Sequence, residues 1–165
     1  MTLAEELLEV AQILLNVSGP PVAQAAIRRS ISTAYYALFH LLIGEATENW
    51  NRPEFRSALG RIFEHGNMRS VSERMAADLG RKEKSGIASP AEQTLNVVAV
   101  RFVRCQQRRI DADYVTSRQW THSDCLEQIE DVTNAFAAWS QIRNEPIAQA
   151  YLVAMLNKRA TPGSL

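Results

Sequence analysis

Residues 22–46 read VAQAAIRRSISTAYYALFHLLIGEA, and their period decides the fold. Ile27, Ile31, Ala34, Leu38 and Leu41 recur at spacings of three and four, so they share one side of a helix. Tyr35, Phe39 and Leu42 widen that stripe, which predicts a helix near the centre of the molecule. Upstream, Leu3, Leu7, Val10, Leu14 and Val17 give a first amphipathic helix, and Ser18-Gly19-Pro20-Pro21 stops it. Downstream, Pro53 opens a shorter helix with Phe55, Leu59, Ile62 and Phe63 on its apolar side, and Gly66 is expected to end it. Met68, Val71, Met75 and Leu79 predict another, closed by Gly80, before an exposed loop over Arg81–Ser89.

Ser89-Pro90-Ala91-Glu92 has the form of a helix start: a capping Ser, Pro at the first position, Glu at the third. Leu95, Val98, Phe102 and Cys105 continue it to about Arg109. A linker over Asp111–Thr121 leads to a last long helix, capped by Ser123 or Asp124 and striped by Ile129, Val132, Phe136 and Trp139. Pro146 should kink or break that helix, with Ile147, Tyr151 and Met155 continuing an apolar face beyond it. No strand-like alternation persists and no repeat is visible. The expectation is an all-α bundle of four to six helices forming one domain over residues 1–160, with 161–165 a frayed tail. Ile27, Ile31, Leu38, Phe102, Ile129 and Phe136 should form its core.

Composition narrows the function classes. Apolar residues make up 46% of the 165, and 18 basic residues balance 18 acidic ones. Zero net charge argues against a chain-wide grip on nucleic acid or an anionic membrane. The two cysteines, Cys105 and Cys125, form neither a disulfide framework nor a zinc spacing, which suits a reducing cytoplasm. Glu5, Glu6 and Glu9 stand where a signal peptide would be basic. The most apolar run, Ala34–Ile43, is half a membrane span. These features predict a cytoplasmic protein without metal, cofactor or membrane association.

Three stretches stand out together: Arg28-Arg29-Ser30-Ile31-Ser32-Thr33-Ala34-Tyr35-Tyr36-Ala37-Leu38-Phe39-His40, then Gln107-Arg108-Arg109-Ile110-Asp111-Ala112-Asp113-Tyr114, and a closing helix with Ala135-Phe136 and Arg143-Asn144. In this combination, from about Leu3 to Asn144, the chain resembles the bacterial and archaeal HEPN proteins. The resemblance implies a compact helical bundle, often dimeric. It also implies a toxin–antitoxin or defence setting, with RNA or a nucleotidyltransferase-type protein as partner. Many such proteins are metal-independent RNases with an Arg, commonly followed by Asn, then four to six residues and a His. Arg143-Asn144 matches the beginning of that pattern. The His would fall at Ala148, Gln149 or Ala150, so the base is missing.

Cleavage of RNA without metal needs a group near neutral pKa to take the 2′-hydroxyl proton, and Arg cannot serve. No residue is therefore assigned to catalysis, the candidates being Arg143, Asn144, His65 and His40. His65, on one helix face with Arg61, reads more readily as a helix C-terminal cap beside Gly66, and His40 as a residue in or beside the core. Charge is uneven: residues 51–84 hold eight basic against five acidic residues, and 101–118 five against two. Arg101, Arg104 and Arg108 repeat on one helix face. Arg28, Arg29, Arg104 and Arg108 are the candidate RNA- or nucleotide-binding residues, unless that face merely pairs with acidic helices. Asp113 is a candidate latch for Arg28 or Arg29, and the two tyrosines are expected to pack in the core. The leading expectation is a non-catalytic HEPN-like binding module. The rivals are an RNase with a displaced active site and a helical scaffold without a nucleic-acid ligand. Trp139, Tyr151, Met155 and Leu156 offer apolar surface for a homodimer through the terminal helix.

Overall fold

The computed structural model describes residues 1–17 and 23–156. The expected stop at Ser18–Pro21 and the expected tail at 161–165 lie outside those residues. Seven helices make up the described chain: α1 (Leu3–Asn16), α2 (Ala23–Glu48), α3 (Pro53–Gly60), α4 (His65–Lys84), α5 (Pro90–Tyr114), α6 (His122–Ile142) and α7 (Pro146–Leu156). The fold class is all-α. The count exceeds the expected four to six because Pro146 does more than kink the last helix. It sits at the first position of a separate α7, where its missing N–H breaks no bond.

Three helices begin with reciprocal capping boxes, Thr2 with Glu5, Ser89 with Glu92 and Thr121 with Asp124. The cap of α6 is thus Thr121, and Asp124 is its third-position partner. Neither Gly66 nor Gly80, expected as helix ends, ends a helix. Gly66 lies in the first turn of α4, because the chain turns earlier, at 61–64, where buried Phe63 drops into the core. Gly80 lies inside α4, which runs to Lys84 and ends at Gly86, the one described residue with positive φ (68°). There the Gly86 N–H bonds the Glu83 carbonyl and the Ile87 N–H bonds the Lys82 carbonyl, each at 3.0 Å. That pair of bonds is the Schellman stop.

α2 is the centre, in contact with α1, α3, α5, α6 and α7. Ile31, Ala34, Tyr35, Leu38 and Leu42 are fully buried on it, facing Phe102 of α5 and Val132 of α6. Phe136, expected in the core, is only half-buried at its edge. α7 folds back over α2, α4 and α5, and Tyr151, Met155 and Trp139 are sealed inside the chain. The apolar surface expected to drive dimerisation through α7 is therefore spent internally. Exposed apolar side chains include Leu3, Val10 and Ile13 on α1 and Val17 at its C-terminal cap. Among the described residues no helix is long and apolar enough to cross a membrane.

Candidate functional site

Three of the four arginines expected to contact RNA are engaged within the chain. Arg28 spans from α2 to the end of α5, where it donates to the carbonyls of Ala112 (2.7 Å), Val115 (3.1 Å), Thr116 (3.2 Å) and Arg118 (2.5 Å). It is the C-terminal cap of α5, a position where a cation also meets the negative end of the helix dipole. Arg104 and Arg108 turn to α6: Arg104 bonds Asp131, and Arg108 pairs with Glu127 at 2.6 Å and Asp131 at 3.7 Å. Arg101 joins them at 3.6 Å from Asp131, whose carboxylate is buried. Arg104 remains partly exposed while bonded; Arg29 is exposed and has no side-chain hydrogen bond or ion pair among the described residues.

The end of α6 holds Arg143 in a pair with Glu45, the guanidinium contacting both carboxylate oxygens at 2.9 and 3.1 Å. Asn144 is exposed in the turn before α7. Ala148 is fully buried, and Gln149 donates to the Arg143 carbonyl (2.6 Å) while its own side-chain oxygen accepts from Asn49 (2.7 Å). Arg143 thus sits at the C-terminal cap of α6 and positions 148–150 on α7, and neither Ala nor Gln can accept a proton at neutral pH.

A titratable cluster forms elsewhere, where α2, α4 and α5 meet. His65 opens α4 rather than capping α3, so it does not share a helix face with Arg61. Its ring stacks on Phe39 with centroids 4.1 Å apart, and its Nδ1 lies 2.7 Å from the Tyr35 hydroxyl. Gln106 fixes the same turn by donating to the His65 carbonyl at 3.0 Å. Beside it, Arg109 donates to the Tyr36 hydroxyl (2.5 Å) and pairs with Asp113 (2.9 Å), which also accepts from Ser32 (3.2 Å). The Asp113 latch therefore closes on Arg109 and Ser32, not on Arg28 or Arg29. Tyr35 packs in the core as expected; Tyr36 is half-buried and holds the arginine.

The electrostatics of the cluster favour a neutral imidazole. Burial, then the Arg109 guanidinium and then His40, lower the His65 pKa. Burial raises that of Tyr35, so the phenol keeps its proton. Arg109 is held in its charged form despite partial burial, by its bond to Tyr36 and the Asp113 carboxylate. A phenol donating to Nδ1 leaves the imidazole proton on Nε2. Reversal of that bond leaves the Nε2 lone pair free to accept a proton. The arrangement can hold an oriented imidazole beside a fixed cation, as acid–base chemistry and anion recognition both require. His40 is half-buried on α2, and burial lowers its pKa too.

Sequence reasoning had His65 but not its partners Tyr35, Tyr36 and Arg109. The two stretches that carry them stood out in the sequence, yet nothing in the spacing said that α4 would place a histidine between them. No protein-family model matches the chain, and neither the curated proteins nor the solved structures yield a match.

Proposed function

We propose that this chain is a HEPN-like binding module, without the cleavage chemistry of RNases that pair Arg and His near the end of the bundle. The observation that carries the reading is the state of Arg143: its guanidinium is committed to Glu45, and buried Ala148 stands where a base is needed. Support for the HEPN-like part comes from the stretches that prompted the resemblance. Tyr36 of the first bonds Arg109 of the second, and Ser32 bonds Asp113. In this reading the partner is RNA or a nucleotidyltransferase-type protein of a toxin–antitoxin or defence system, and the setting is cytoplasmic. Phosphate contacts fall to Arg29 and to the outward part of Arg104, whose side chain is 45% exposed. Self-association, in turn, uses the apolar stripe of α1.

A second reading, metal-independent cleavage at a displaced site, is favoured by one observation: the Tyr35–His65 bond beside Arg109. Purified protein incubated with total RNA in chelator separates the two. The binding-module reading expects no cleavage and no change on Arg143→Ala. Cleavage that disappears in His65→Ala and persists in Arg143→Ala would replace it with the second reading. RNA retention that does not weaken with salt would remove the phosphate contacts from either.

A further inference from the structure

The stretch of chain that leads into His65 is held to the bundle by little. Of residues 51–64, Phe63 alone is buried. α3 has no buried residue and packs chiefly on α2, where Ile43 and Thr47 lie beside Gly60. Trp50, Phe55 and Ile62 are exposed. A segment with so few buried apolar groups opens at lower free energy than the body of a fold.

Beyond Phe63, its ties to the body gather at His65. The ring stacks on Phe39, and Nδ1 meets the Tyr35 hydroxyl, both on α2. The His65 carbonyl accepts from Gln106 of α5. At the other end, Arg56 donates to the carbonyls of Glu48 and Trp50, which ties α3 to the end of α2 and not to the core. The segment thus has a hinge at 48–50 and a latch at His65.

The latch suits an uncharged ring. Neutral His65 can accept at Nδ1 from Tyr35, a fully buried phenol whose hydroxyl makes no other hydrogen bond among the described residues. Protonation turns both ring nitrogens into donors. The hydroxyl must then accept, and its own proton is left in the core without an acceptor.

The surroundings oppose the charge as well. Arg109 acts on His65 from α5 and His40 from α2, and the other titratable groups on the α2 side are the phenols Tyr35 and Tyr36. Arg69 follows one turn along α4. Asp113 is taken by Arg109 and Ser32, Glu73 is taken by Arg69, and exposed Glu64 precedes His65 in the chain. His65 is also the first residue of α4, at the positive end of its dipole. Burial, Arg109 and His40 hold its pKa below the ordinary 6.5 while the segment is closed. The closed form is therefore fully favoured above that value and loses ground as pH falls from there to the closed-state pKa.

We propose that residues 51–66 form an acid-released flap: neutral His65 latches it over Tyr35 and Phe39, and protonated His65 lets it swing out about the end of α2. The device stands apart from both readings of function, because it sets what closes the cluster and not what the cluster binds.

The test is hydrogen exchange of the full chain near pH 7 and near pH 5, corrected for the intrinsic effect of pH on exchange. Peptides spanning 53–66 are compared with peptides spanning α6. The flap should lose at least about threefold in protection at the lower pH, while α6 stays far more protected. His65→Gln, whose amide oxygen still accepts from Tyr35 and takes no proton, should hold flap protection constant. His40→Gln should leave the pH effect in place. Tyr35→Phe keeps the buried ring and removes the latch bond, so the flap should already be less protected near pH 7. Equal flap protection at both pH values overturns the proposal. So does a pH effect that survives His65→Gln or vanishes in His40→Gln, a Tyr35→Phe flap as protected as before, or a flap that exchanges only together with α6.

Discussion

Arg108 and Arg109 are neighbours in sequence and opposites in use. A helix turns about 100° per residue, so the two side chains leave α5 toward different helices. Arg108 reaches α6 and joins Arg101 and Arg104 around buried Asp131, a carboxylate held by arginines alone. Arg109 reaches α2, where it meets Tyr36 and Asp113 and lies close enough to His65 to lower its pKa. The first cluster consists of permanent charges and links two helices, with Asp131 Oδ2, Arg101 Nε and Arg108 Nη1 making no hydrogen bond among the described residues. The second contains a histidine whose pKa burial and Arg109 lower, and a phenol bonded to its ring. A basic face is thus better judged by what its charges meet than by how many there are.

The largest effect should come from breaking the α5–α6 side. Asp131→Ala leaves three arginines without their shared carboxylate and should cost about 3–5 kcal/mol in urea denaturation. A loss below about 1 kcal/mol would mean that the arginines find solvent freely and that the network is not structural. On the opposite side, Arg109→Ala removes one charge-assisted bond and one largely covered ion pair, for about 1.5–3 kcal/mol. If the two losses are equal, the contrast between the faces fails.

Tyr35→Phe sharpens the comparison further. It retains the buried ring and removes the hydroxyl, so about 1 kcal/mol should be lost. With the phenol donating to a neutral imidazole, its removal should raise the His65 pKa in an NMR titration. A fall instead would show that the tyrosine oxygen accepts from Nδ1–H, which is the tautomer that frees Nε2 as a base.

A pH profile separates the clusters without mutation. His40 and His65 both have folded-state pKa values below the ordinary 6.5. As pH falls below 6.5, the unfolded chain takes up protons that the folded chain refuses, so stability declines there and levels off below the folded values. His65→Gln should flatten part of that decline, whereas Arg108→Gln should leave its shape unchanged. The smallest effect is expected at the end of α6. The Arg143 side chain is 48% exposed in its pair with Glu45, and Arg143→Ala should cost less than about 1 kcal/mol.

Much of the fold was legible because it is written locally. The three-and-four spacing of Ile27, Ile31, Leu38, Phe102 and Ile129 marked buried faces, and all five are buried. Ser89 and Glu92 announced the start of α5 through bonds between residues three apart. Where local signals competed, the sequence misled. Gly66 and Gly80 resembled helix ends, but a glycine ends a helix only where the chain takes up positive φ, and here that residue is Gly86. Phe136 has the right period for the core but faces a cleft instead. The placement of Trp139, Tyr151 and Met155 depended on α7 folding back, which no period encodes.

By itself, then, the sequence determined that the chain is helical, where most helices begin and that Arg143 has no histidine at the expected spacing, because each depends on residues a few positions apart. Only the tertiary structure decided that Arg28 caps α5, that Arg104 and Arg108 hold Asp131, and that His65 meets Tyr35 and Arg109. Those partners are 84, 27, 23, 30 and 44 positions apart along the chain. Helical period fixes the face a side chain occupies but not the helix it will face. That choice belongs to the packing of α2 against its neighbours, where the burial of apolar stripes sets which charges come together.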